Sequence, residues 1–350
     1  MDLGKYADLP SALGFAPDKE AEISRVQLFK VFGKLPQFPT DFKLVRGKSW
    51  VHDQVQITEV SWSTGYGPRT ESYLLVPENT VGPLPGVLFL HSHDDVKGFG
   101  KEKLVEGAAV MPDELVWVRQ DHYGDRAPAN ELAKRGYAVL AFDCFLWGSR
   151  NFAMVDMPDR LKEILGTEDY ERLAVMHESM VLSKYLSLFG TTLAGLLNFD
   201  DRVAFAVAQS LPEITDSISV MGLSGGGTRT IYMHATVDQI RASVAIGAMA
   251  TYESMLANHV APHSWMNWPQ NLAQYGDWTA VAMMGAPKPL YLQYCEDDQL
   301  YTKQGMQAAD EYFLARYPKN KYKGSFYPVL HSFTKQMQED AFNWLDENVK

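Results

Sequence analysis

Cysteine is scarce in this chain: Cys144 and Cys295 are the two among 350 residues. So few exclude a small disulfide-scaffolded fold and leave one bridge at most. Each stands at the end of a predicted buried strand, and free thiols in a reducing compartment are the preferred reading over a disulfide. A run of about 18 apolar residues is also lacking, which excludes a helical membrane span. Basic charge is in deficit, with a formal net charge of −11. That argues against nucleic acid as a partner and leaves no patch for an anionic membrane surface. Met1–Pro10 has no apolar stretch of the kind a secretory leader needs, so the expected location is cytoplasmic. There is no internal repeat, low-complexity segment, Lys/Arg block, or linker long enough to divide the chain. One domain over 1–350 is expected.

What is present is apolar material enough for a large core, 46% of the residues. Residues 1–50 read as an N-terminal extension of short helices and loop. Alternation around Val55–Ser61 and Thr70–Val76 predicts antiparallel strands, with Gly65–Pro68 as the turn between them. Beyond Pro85, strands and helices alternate as in a mostly parallel α/β sheet with helices on both faces. The predicted strands are Gly86–Leu90, Tyr137–Phe142, Ser217–Met221, Ala242–Ile246, Pro289–Tyr294 and Gly324–Val329. Helices are predicted near Ala127–Lys134, Glu168–Ser210, Thr228–Ala235, Lys303–Tyr317 and Ser332–Asn348. Two stretches exceed what connections need, Gly148–Thr167 and a lid-like insertion over 250–286.

The stretch Ser217-Ile-Ser-Val-Met-Gly-Leu-Ser224-Gly-Gly-Gly227 carries the chemistry. A predicted strand runs into Gly-x-Ser-x-Gly and then into a predicted helix. That places Ser224 on a sharp turn that exposes its hydroxyl and tolerates only small neighbours. A serine is a poor nucleophile without a base, and the base needs an orienting acid. In folds with such an elbow, acid and base follow the serine in chain order. Downstream lies Cys295-Glu-Asp-Asp298 at a strand end, where three carboxylates fit a solvated loop or a site. Asp298 is preferred as the acid, with Asp297 second. His331 is the one histidine beyond Asp298, and it stands at a strand–helix junction. The oxyanion hole calls for two backbone N–H groups, expected from Gly225 and from His93 in the loop His91-Ser-His93-Asp-Asp95.

That loop supports a rival reading. His91-x-His93-x-Asp95 resembles the H-x-H-x-D-H metal motif of metallo-β-lactamase-like hydrolases. Here position 96 is valine where that motif has its third histidine. The serine reading therefore implies no metal and no cofactor.

With these residues in view, the chain resembles the acetyl xylan esterase and dienelactone hydrolase-like branch of the α/β-hydrolases over roughly 40–350. The carriers are Val87-Leu-Phe-Leu-His91-Ser-His93, Ala141-Phe-Asp143 with Gly148-Ser-Arg150, and Gly222-Leu-Ser224-Gly-Gly226. Ala286-Pro-Lys-Pro289, Cys295-Glu-Asp-Asp298 and His331 complete the set. The resemblance implies an α/β-hydrolase fold and the roles nucleophile, acid and base for Ser224, Asp298 and His331. It implies a small-molecule ester as substrate, with small acyl groups such as acetyl, and leaves a homo-oligomer open. Relatives usually have glycine after the loop histidine, where this chain has Ser92, and open the acid loop with glycine, where it has Cys295. Asp143 and Arg150 read as a structural pair. Three of the eight tryptophans, Trp265, Trp268 and Trp278, fall in the 250–286 insertion. Together with Trp117 they are candidates for an aromatic wall, the other reading being packing of the insertion onto the body. Arg119 and Arg126 are candidates for gripping a substrate carboxylate. A peptidase or amidase on the same triad, and a hydrolase-shaped protein that only binds a ligand, are the remaining readings.

Overall fold

Alternating residues of each strand face opposite sides of one sheet, nine-stranded among the described residues, and helices cover both sides. The computed structural model describes residues 1–15, 21–108 and 111–350. The strands are β1 Val45–His52, β2 Val55–Trp62, β3 Thr70–Pro77, β4 Leu84–Leu90, β5 Ala138–Phe142, β6 Ile214–Leu223, β7 Ile240–Ile246, β8 Leu290–Cys295 and β9 Tyr322–Tyr327. They lie in the order β1-β2-β3-β5-β4-β6-β7-β8-β9. The β1–β2, β2–β3 and β3–β5 pairs are antiparallel and all the others parallel.

The inner strands carry runs of apolar residues because both of their faces are covered. In β4, Val87 and Phe89 join Leu132, Met337, Phe342 and Leu345, from the helices Pro128–Lys134 and Lys335–Val349. Their neighbours Leu88 and Leu90 instead join Phe199, Val203 and Val207 of the helix Leu193–Ser210. No helix among the described residues is long and apolar enough to cross a membrane.

Two expectations need correction. The N-terminal 1–50 is not helix and loop throughout: β1 begins at Val45. It is an edge strand whose first five residues are all exposed, and its register shifts between Arg46 and Ser49, so it lacks the alternation that marks a half-buried strand. Within the extension, helices form at Leu9–Ala12 and Arg25–Phe32; residues 16–20 lie outside the described residues. The second correction is to the helix expected over Glu168–Ser210. It is two arms, broken where Gly190 takes φ 72° and Thr192 caps a new helix through its side chain to the Gly195 N–H. The first arm contains a π-helical turn at Glu178–Leu182, which places Glu178 in the site described next.

Candidate active site

The glycines of the elbow are there for contact. A Cβ on Gly226 would lie 2.0 Å from the carbonyl oxygen of Leu90 in β4, and one on Gly222 would lie 2.6 Å from the same atom. Because both positions are bare, the helix Gly225–Thr236 can start hard against the sheet. Ser224, between β6 and that helix, adopts φ 57° and ψ −120°, a strained backbone that recurs at functional sites. Its N–H donates to the Ile246 carbonyl at 2.8 Å, which pins the turn to β7.

His331 follows β9 and reaches the same place. Gly247, next to Ile246, has φ 52°, and a Cβ there would lie 3.1 Å from Cε1 of the His331 ring. Nδ1 of His331 is 2.6 Å from Oδ2 of Asp298, whose side chain is fully buried. The other Asp298 oxygen accepts the Leu300 N–H at 2.8 Å, so the carboxylate cannot rotate away. Asp297 is exposed, with its N–H bonded to the Val329 carbonyl. Nε2 of His331 is buried with no hydrogen-bonding partner among the described residues. Burial works against the charged imidazole, but the bond to Asp298 and its charge, helped by the charge of Asp94, outweigh it. The pKa of His331 is raised above 6.5.

The loop after β4 forms the opposite side. A Cβ on Gly225 would lie 3.2 Å from the backbone nitrogen of His93, so the two amides proposed as oxyanion donors are adjacent. Neither donates to another group among the described residues. Ser92 needs no left-handed backbone; that conformation falls on Asp94 and Asp95, each with φ 55°.

The loop histidines do not converge on a common point. Nδ1 of His91 is 3.0 Å from the Ser92 carbonyl, and its Nε2 is 3.5 Å from Sγ of Cys144. His93 instead accepts the Asp95 N–H at Nδ1 and brings Nε2 to 3.4 Å from Glu178. The ammonium of Lys97 also sits 3.4 Å from that Nε2, so a metal cation there would face a fixed positive charge. These donors do not fit the metal motif.

Ser224, Gly225, His93 and His331 all open onto one cavity of about 680 Å³. Its far wall comes from the insertion, at 260–268, and from Val175, Met176, Glu178 and Ser179. Trp117 and Trp265 are about half exposed at this cavity, and Trp268 lines it while stacking on Tyr252 at 5.4 Å. Trp278 does not reach it: of the two readings offered for the tryptophans, this one follows packing onto the body and not the aromatic wall. It is 3% exposed and gives its Nε1–H to the Ala248 carbonyl at 2.9 Å. The insertion folds as four short helical segments, and Trp265 and Trp278 stand on different ones.

Other expectations also shift. Arg150 pairs with Asp200 at 3.0 Å, while Asp143 is taken by Lys101 at 2.8 Å. Arg119 donates to the Glu102 and Val105 carbonyls, and Arg126 pairs with Glu131 and Glu339, so neither arginine reaches the cavity. The free thiols expected at both cysteines are, by contrast, what the structure has, and burial pushes each up to about 12, far from a reactive thiolate.

Several lining groups left no linear signal. Glu178 accepts from Lys97, from His93 and, at 2.6 Å, from Ser264. Burial alone would raise its carboxyl, but Lys97 and His93 hold it well below the usual carboxylate range. The Lys97 ammonium lies 3.3 Å from the centroid of the Trp147 ring. His263 is pushed down to about 4 by burial and stands beside Tyr301, whose ring stacks over His331 at 6.5 Å. The partners of these residues come from elements distant in the chain, and only the fold reveals them.

The fold has solved counterparts. A Bacteroides fragilis NCTC 9343 structure titled "putative acetyl xylan esterase" superposes with a TM-score of 0.66 at 15% identity, covering 93% of this chain and 83% of its own. The fold is that of an α/β-hydrolase. Within that fold the chain is also similar to acetyl xylan esterase 1 of Thermoanaerobacterium sp. JW/SL YS485, with a TM-score of 0.57 and 14% identity over 94% of this chain and 100% of that one. By sequence, the chain is 24% identical over 296 residues to the Bacillus subtilis (strain 168) protein named "Putative hydrolase YtaP", covering 84% of this chain and 86% of that protein. No protein-family model matches the chain.

Proposed function

We propose that this protein is a serine hydrolase that cleaves carboxylic esters of small acyl groups, such as acetyl, through an acyl-enzyme intermediate. The observation that carries the reading is the His331 ring. It is held by Asp298 at 2.6 Å through Nδ1, and its Nε2 has no partner at the cavity that Ser224 faces. An imidazole whose Nε2 is free at a cavity that a serine hydroxyl also lines can serve as a general base once neutral. His331 takes the Ser224 proton as the oxygen attacks the ester carbonyl. The N–H groups of His93 and Gly225 bind the oxygen as it becomes negative. His331 then protonates the departing alcohol, and water releases the acid by the same steps. Asp298 keeps the proton on Nδ1 of His331 and balances the imidazolium that forms.

The cavity bears on substrate size. About 680 Å³ is far more than an acetyl group fills, and it suits a drug-sized molecule. The alcohol portion accordingly occupies most of the space, against Trp117, Trp265 and Trp268. Likeness in fold to acetyl xylan esterases supports the same class of reaction.

The test is Ser224→Ala, assayed on p-nitrophenyl acetate, alongside fluorophosphonate labelling of the wild type read by mass. The expected results are a loss on the order of 10⁶ in kcat and one adduct at Ser224. An alanine variant that keeps most of its activity would overturn the reading.

A further inference from the structure

Lys103 has no place in the chemistry above, yet its side chain is fully buried beneath the oxyanion loop. It lies on a short helical turn at 101–103, and its Nζ donates to two consecutive backbone carbonyls, Ser92 at 3.0 Å and His93 at 2.9 Å. The carboxylate of Asp94 is 3.4 Å away. An ammonium in so dry a place is costly, and burial lowers its pKa despite Asp94. What the molecule gains in return follows from peptide geometry. A trans peptide is planar, with its C=O and N–H pointing in opposite directions. The peptide between residues 92 and 93 has its oxygen drawn onto Lys103. Its N–H, which belongs to His93, therefore points away from Lys103, on the side where Gly225 stands.

We propose that Lys103 is a positioning residue for the oxyanion hole, fixing the plane of the 92–93 peptide so that the His93 N–H faces the developing negative oxygen. Its charge also polarises that peptide and strengthens the N–H as a donor. The loop is braced from the other side as well. Tyr123 accepts the Ser92 N–H at 3.2 Å and donates to the Ser92 hydroxyl at 2.8 Å, and that hydroxyl donates in turn to Asp94. Trp147 gives its indole N–H to the His93 carbonyl at 3.3 Å, which steadies the next peptide but not this one. Serine at position 92 is thus a strut for which glycine offers no atom. The inference rests on the serine-hydrolase reading and extends it.

The experiment compares Lys103→Met with wild type on p-nitrophenyl acetate and measures affinity for a trifluoromethyl ketone, which forms an oxyanion on adding to Ser224. Lost alignment of one donor predicts a fall of about 10²–10³ in kcat with KM changed less than about threefold. Ketone affinity should fall by a similar factor, and Lys103→Arg should recover part of both. A folded Lys103→Met protein with kcat within about threefold of wild type overturns the proposal. So does a lowered Tm with ketone affinity unchanged, since a merely structural lysine would behave that way. Lys103→Gln, which keeps a donor and drops the charge, carries the same two readouts if the methionine variant does not fold. Loss of activity in Ser224→Ala alongside full activity in Lys103→Met would refute this inference and leave the serine reading intact.

Discussion

At the scale of single residues, Asp298 acts on His331 in two ways that one substitution separates. Its bond to Nδ1 fixes the tautomer that leaves Nε2 free to accept a proton, and its charge raises the pKa of the ring. On the proposed mechanism the base must be neutral to work, so activity is expected to fall as pH drops through the His331 pKa, which is raised from 6.5. Asp298→Asn removes the charge and the tautomer preference together. Its kcat should fall by about 10⁴. Whatever activity remains should have its acid limb at lower pH than wild type, because burial, which depresses an imidazole, is then less opposed. A pH profile of kcat/KM for both proteins checks this. A limb that stayed in place would mean that another group titrates there.

At the scale of elements, the contact between the elbow helix and β4 is the part least tolerant of change. In Gly226→Ala the new methyl group would meet the backbone oxygen of Leu90, which no side-chain rotation can relieve. The helix Gly225–Thr236 would have to withdraw from the sheet and carry Ser224 with it. A cost of about 1–3 kcal/mol in urea unfolding, with a drop in kcat larger than the stability loss explains, is the expected outcome. Wild-type kinetics in this variant would show that the elbow can move without harm. The same elements show what the sequence could disclose. Strands β4 to β8 are covered on both faces, and unbroken apolar runs give them away. The candidate serine, acid and base could be picked out because elbow folds present such residues in a fixed order along the chain, and the structure does bond His331 to Asp298. β1 was not, because an exposed edge strand needs no buried face. Trp278 looked like Trp265 in sequence, and only packing onto Tyr232 at 5.0 Å makes it core. Lys103 and Glu178 were invisible for a related reason: a buried charge has meaning only through partners that the fold brings to it.

At the scale of the whole molecule, one pair of adjacent residues ties the layers together behind the site. Asp200 and Asp201, both on the helix Leu193–Ser210, reach buried arginines in different directions. Asp201 holds Arg229 of the elbow helix at 2.5 Å. Asp200 holds Arg150 at 3.0 Å, accepts from the Tyr66 hydroxyl at 2.9 Å, and accepts the Phe145 N–H at 3.0 Å. Arg150 also donates to the carbonyls of Tyr66 and Pro68. The hairpin turn between β2 and β3, the loop after β5 and the long helix thereby meet at one guanidinium that is 2% exposed. Replacing Arg150 by methionine fills similar space but strands the Asp200 charge and two carbonyls in the interior. Breaking one side of such a buried pair costs about 3–5 kcal/mol, a large share of the stability of an ordinary domain. The double variant Arg150→Met with Asp200→Leu removes both charges and should recover part of that loss. Urea unfolding of the three proteins decides between the possibilities. If Arg150→Met alone cost under about 1 kcal/mol, as an exposed pair would, water must reach the pair and the tie is not what holds the layers.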